Sequence, residues 1–168
     1  LLEIIDNIEN KKFTELRPIL SELEPIDIAD IINEVDDDKV AIIFRLLPKS
    51  LASEVFVEMD TDVQQIIIKA FTDKELSGII NDLFLDDTAD IIEEMPSNVA
   101  RRILKVAKPE DRAIINKLLG FPKDSAGSIM TPECITLRET MTVDDALAKI
   151  RRQATGAEFE IGKNFRNE

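Results

Sequence analysis

Hydrophobic residues return every 12 positions through most of this 168-residue chain. Ile31, Ile43, Val55, Ile67, Ile79, Ile91, Ile103 and Ile115 are all β-branched aliphatics spaced 12 apart. One position later stand Ile32, Phe44, Phe56, Ile68, Ile80, Ile92 and Leu104, with Asn116 the polar exception. Four positions after the beat come Val35, Leu47, Met59, Phe71, Leu83, Met95, Ala107 and Leu119. Ile19, Leu20 and Leu23 carry the pattern one unit further back. A period this regular belongs to stacked supersecondary units rather than to an enzyme core.

The period has a helical reading. At about 100° per residue, the three recurrent positions fall near 0°, 100° and 40°, which is one apolar stripe. Five positions before the beat stand Asp38, Ser50, Asp62, Asp86 and Asn98, which read as N-caps because a short side-chain oxygen can accept from a free amide of the first turn. Lys74, Glu110 and Ile26 break that rule. Pro48, Pro96 and Gly120 follow the stripe and read as stops. Each unit is therefore expected to be a helix of about 8–9 residues and a short turn, marginal alone and stable only against its neighbours. The fold expected is all-α, a superhelical array of short antiparallel helices with the beat residues buried. Segments 27–35 and 87–95 are the most alike, with Asp, Ala, Asp, Ile, Ile and Glu shared at matching places.

Apolar content of 44% can supply a core, and with 8 Phe and no Trp or Tyr that core is largely aliphatic. No apolar run approaches the roughly 18 residues of a membrane span. A lone Cys134 gives no disulfide framework and fits a reducing compartment. The net charge of −13 argues against nucleic acid as a partner. Charge is also segregated. Residues 50–98 hold 12 Asp/Glu against 2 Lys/Arg, and residues 99–123 hold 7 Lys/Arg against 2 Asp/Glu. An acidic face of this kind suits divalent cations or a basic partner. With no histidine, no phosphate-binding glycine loop and no base beside Cys134, no catalytic constellation is evident.

The beat stops at Gly120. Residues 121–130 read as a linker with Pro and Gly punctuation. Cys134–Leu137 then reads as a short strand, and Thr142 as the N-cap of a helix with Val143, Ala146, Leu147 and Ile150 on its apolar side. Strand followed by helix suggests the opening of an α/β module, incomplete within residues 131–152. Residues 153–168 lose all pattern and read either as a disordered tail or as sequence foreign to the domain.

Three stretches carry a family resemblance. They are Leu85-Asp86-Asp87-Thr88-Ala89-Asp90, the junction Asp124-Ser125-Ala126-Gly127-Ser128-Ile129-Met130-Thr131, and the run from Met130-Thr131-Pro132 through Thr142-Val143-Asp144-Asp145-Ala146-Leu147. Together they resemble the cytosolic part of MgtE-type magnesium transporters over about residues 1–152, with a helical N domain to residue 120 followed by the start of a first CBS domain. The resemblance implies a regulatory Mg²⁺ sensor on the cytoplasmic face of the cell membrane, belonging to a homodimeric channel. There, Mg²⁺ screens repulsion between the N and CBS domains and favours the closed pore. It implies metal-binding roles for Glu54, Asp86 and Asp90, with Asp87 as a neighbour, and for the backbone at Ser128. The CBS acids that would complete each site, the second CBS module and the pore are not in this sequence, so Mg²⁺ should bind weakly. The implied partners are the protein's own CBS and transmembrane domains. A competing reading is a non-catalytic interaction scaffold, because flagellar motor switch proteins resemble this chain in their short-helix repeats. The CBS-like segment after Met130 weighs against it.

Overall fold

The computed structural model describes residues 7, 8, 10, 12–123 and 125–153. The unpatterned tail from residue 154 lies outside them, as does Asp124 of the junction. The helices are α1 Phe13–Leu20, α2 Pro25–Asn33, α3 Asp37–Phe44, α4 Lys49–Glu58, α5 Thr61–Ala70, α6 Asp73–Ile80, α7 Leu85–Glu94, α8 Ser97–Val106, α9 Pro109–Leu118 and α10 Val143–Gln153. From α1 to α9 each helix begins 12 residues after the last. The sequence period is therefore the period of the fold.

The beat residues form the core. Ile43, Val55, Ile67 and Ile103 are fully buried, and Ile31, Ile79, Ile91 and Ile115 nearly so. Each such side chain contributes about 1.5–3 kcal/mol by leaving water. A fourth core position, three before the beat, escaped the sequence pattern. Leu16, Ile28, Val40 and Leu76 occupy it, but so do Gln64 and Thr88. These two polar side chains are buried at low cost because both are paired: Gln64 Nε2 donates to Phe56 O at 2.8 Å and Thr88 Oγ1 to Phe84 O at 3.0 Å. Phe44 anchors the aromatic part of the core, edge-on to Phe56 and Phe71 at 6.0 and 5.7 Å between ring centres.

Helices pack chiefly on their second neighbours. One rank runs α2, α4, α6, α8, and the other pairs α3 with α5 and α7 with α9. Between α5 and α7 the second rank is interrupted, and α5 packs on α8 instead. Arg102 of α8 closes that junction, donating to the carbonyls of Ile68 and Phe71 at the end of α5 and pairing with Asp73. Placing a cation where α5 leaves its carbonyls free also complements the helix dipole.

The helix starts differ from expectation. Asp38, Ser50, Asp62, Asp86 and Asn98 are not N-caps but stand two residues inside, at the second helical position. The true cap positions are held by Asp36, Pro48, Asp60, Phe84 and Pro96, none with a side-chain cap bond. Only Thr72 of α6 builds a local capping box, with Glu75. Arg45 and the Thr72 contacts hold the Glu75 carboxyl down at about 2. Elsewhere the support comes from a distant helix: Asn33 Oδ1 accepts from Asp60 N at 3.2 Å, and Asn81 Oδ1 from Lys108 N at 3.0 Å.

Beyond α9 the expected strand at Cys134–Leu137 is not formed. Among the described residues Cys134 makes a single bridge and 135–138 are irregular. A strand needs partners along its length, and a lone short segment is marginal. The helix after it does form with its expected cap, Asp145 N donating to Thr142 Oγ1 at 3.2 Å. No helix among the described residues is long and apolar enough to cross a membrane.

Candidate functional site

The first two turns of α7 concentrate negative charge. Asp86, Asp87 and Asp90 occupy its second, third and sixth positions. Acids in a first turn are favoured by the free amides there, but three within five residues repel one another. Asp90 is exposed, while Asp86 and Asp87 are half-buried. Oδ1 of Asp86 is enclosed and has no hydrogen-bond partner. Asp86 thus faces outward only in part, because residues from beyond α9 lie close to the start of α7.

Glu133 is the main one of these. Its Oε2 accepts from Leu85 N, the first amide of α7, at 2.8 Å. A carboxylate from 48 residues downstream thus supplies the cap that Phe84 cannot. It does so among like charges. Burial pushes the Asp87 carboxyl above its ordinary value, and repulsion from Asp86, Asp90, Glu133 and Glu58 adds to it. Burial also raises Glu133, against the stabilising Leu85 amide, with Asp86 and Asp111 raising it further and Lys108 opposing them. For Asp90 burial acts first, then repulsion from Glu93, Asp86 and Glu94. These shifts describe a site that prefers to acquire positive charge.

The five residues expected at a metal site fall into three groups. Glu54 of α4 and Asp87 line one cleft of 690 Å³ with Glu58, Asp82, Asp111 and Glu133. Glu54 and Asp90 share the sixth position of their helices and both are exposed. Asp86 and Asp90 are not part of the cleft lining. Ser128 belongs to a separate turn, its N and Oγ both donating to Ser125 O, at 3.0 and 2.9 Å. That turn is pressed against the array. A Cβ at Gly127 would stand 2.6 Å from the ring of Phe121, so only glycine permits the approach. Lys123 Nζ, 3.5 Å from Glu93, ties the same segment to α7.

Among the described residues no three His, Cys, Asp or Glu side chains converge on one point. Glu58, Asp111 and Glu133 were not singled out from the sequence. Their only signal there is a general excess of acid, since what assembles them is packing between α4, α7, α9 and the following segment.

The MgtE intracellular N domain family matches residues 23–124. Magnesium transporter MgtE of Thermus thermophilus is 32% identical over 146 residues, which is 85% of this chain and 32% of that protein. Magnesium transporter MgtE of Bacillus subtilis is 25% identical over 158 residues, 94% of this chain and 35% of that protein. The chain thus spans about a third of the length of these relatives. The solved cytosolic domain of the Mg²⁺ channel MgtE in complex with ATP superposes with a TM-score of 0.78 at 30% identity, covering 94% of this chain and 64% of that one. The soluble part of a magnesium transporter, at 18% identity, shares the fold with a TM-score of 0.72, over 94% of this chain and 62% of that one. With more than half its length inside the matched region, this chain belongs to the MgtE intracellular N domain family.

Proposed function

We propose that the chain is the Mg²⁺-sensing regulatory part of a magnesium transporter, held at the cytoplasmic face of the membrane by segments outside this sequence. Asp86, Asp87 and Asp90, with Glu54 on α4 and the backbone at Ser128, supply one half of shared metal sites. Carboxylates of the transporter's CBS region supply the other half. Residues 131–152 are the start of that region, residues 121–130 are the junction, and the complete protein works as a homodimer. The observation that carries this reading is the gathering of Asp86, Asp87 and Asp90 in the first two turns of α7, where burial first and mutual repulsion second raise the proton affinity of Asp87 and Asp90, in a chain of this family.

The physics is a counter-ion switch. Docking a second acidic surface on α7 is unfavourable, increasingly so as water is excluded. A divalent ion between the two surfaces reverses the sign. Mg²⁺ then favours the docked state and binds it more tightly by the same factor. The enclosed Asp86 Oδ1, an acceptor left without a hydrogen-bond partner, fits this role. The test is protease protection of the complete transporter titrated with Mg²⁺. Asp86→Ala with Asp90→Ala should move the protection midpoint to higher Mg²⁺ while circular dichroism stays unchanged. Coincident midpoints for parent and variant would show these carboxylates to be ordinary surface charges.

A further inference from the structure

The cleft beside α7 holds more negative charge than a half-site for one ion requires. Glu54 and Glu58 enter it from α4, Asp82 from the turn after α6, Asp87 from α7, Asp111 from α9 and Glu133 from the segment beyond. Two have cations of their own: Lys49 Nζ is 2.7 Å from Asp82, and Lys108 Nζ is 3.9 Å from Asp111. Among the described residues no three of these carboxylates gather on one point that could hold a metal ion. The same lining includes the apolar side chains of Val57, Leu83, Phe84 and Leu85. A bare metal ion exploits neither the spacing nor the wall. A flexible chain of methylenes carrying several ammonium groups exploits both, since its apolar stem covers apolar surface while each charged nitrogen meets a carboxylate.

Ser53 gives an independent indication. It lines the cleft, is 6% exposed, and its Oγ has no hydrogen-bond partner. The same register position is filled by Ala29, Ala41 and Ala89 in α2, α3 and α7, all buried. Packing there asks only for a small side chain. In α6 the position is Ser77, whose Oγ donates to Val106 O at 3.2 Å. A mid-helix hydroxyl otherwise bonds back to the carbonyl four residues earlier, as Thr88 does. Ser53 does neither and carries the cost of a buried unsatisfied group. An ammonium N–H in the cleft removes that cost. Lys108 already brings one ammonium to this wall, where it offsets the repulsion on Glu133.

We propose that the cleft binds a linear organic polycation of the polyamine class, with Ser53, Glu54, Glu58 and Asp87 as its ligands. The proposal does not rest on the Mg²⁺-sensing reading. The test is calorimetric titration of this chain with spermidine, with butylamine and with NaCl at matched ionic strength. Saturable binding of spermidine, and much weaker binding of the monoamine, are expected. Glu58→Gln with Asp87→Asn should weaken it by about tenfold or more, the worth of charge-assisted bonds. Ser53→Ala should weaken it severalfold with thermal stability held or raised, because alanine already fits this slot in three sister helices. Asp86→Ala with Asp90→Ala should still bind spermidine, which separates this site from the Mg²⁺ test. Heat of binding that NaCl reproduces, or that both cleft variants leave unchanged, overturns the proposal.

Discussion

In α1–α9 the apolar stripe is buried on every helix, whereas in α10 Val143 is 76% and Leu147 43% exposed. Ile129 and Leu137 nearby are exposed as well. The two regions do not differ in local quality. α10 has a sound N-cap, acids in its first turn and Arg151 and Arg152 in its last, which is better local chemistry than α4 or α8 possess. They differ in what lies 24 residues away. Each helix from α2 to α9 packs on one that starts 24 residues before or after it, while α10 makes none of these main helix contacts among the described residues. Amphipathic pattern makes a helix, and repetition of the pattern gives it somewhere to pack.

Three experiments can break or sharpen that contrast. The largest effect is expected in the core. Ile67→Ala, at a fully buried position of α5, should cost about 2–5 kcal/mol in urea denaturation, and Val143→Ala in α10 no more than about 0.5 kcal/mol. Equal costs would mean that α10 is as tightly integrated as the array. Capping comes next. Thr72→Ala should cost about 1 kcal/mol of global stability. Thr142→Ala removes a similar bond from α10 and should speed amide exchange in that helix without moving the global unfolding midpoint.

The smallest effect is electrostatic. Folded Asp87 binds a proton more tightly than its ordinary value of 3.8, so the native state holds more protons across the window between that value and the raised one. Stability therefore falls as pH rises through the window, and the penalty is complete above it. Asp87→Asn should raise stability at neutral pH by at most about 0.5 kcal/mol after solvent screening, the helix dipole opposing the gain. The advantage should vanish once the parent is protonated in both states. A pH-independent difference in thermal midpoint would mean that the charge of Asp87, through burial and repulsion, is not its source.

Much of the array was legible because its information is local and repeated. The beat residues, the helix lengths and the place where the pattern stops all follow from a stripe that recurs at one phase. The helix starts were misplaced by two residues for a physical reason. Acids and small polar residues at the second helical position resemble caps, yet at Asp60, Leu85 and Lys108 the partner of the backbone amide is Asn33, Glu133 or Asn81. No window of neighbouring residues contains such a partner. The same is true of the cleft. Asp87 stands in a visible acidic run on one helix, while Glu58, Asp111 and Glu133 join it in the cleft only through packing. Gln64 and Thr88 hid a core position because their polarity masks burial that two backbone carbonyls make acceptable.

The 12-residue interval also sets how the chain finds its structure. Second-neighbour packing means that the contacts binding each rank close loops of about 24 residues, whose entropy cost grows only with the logarithm of their length. The search is short at every step, and each new helix docks on one already placed. Asn33 and Asn81 bridge nearly the same interval, reaching Asp60 and Lys108 respectively. Their amides act as registration marks, since a helix arriving one turn out of step would leave both the donor and the acceptor unmatched.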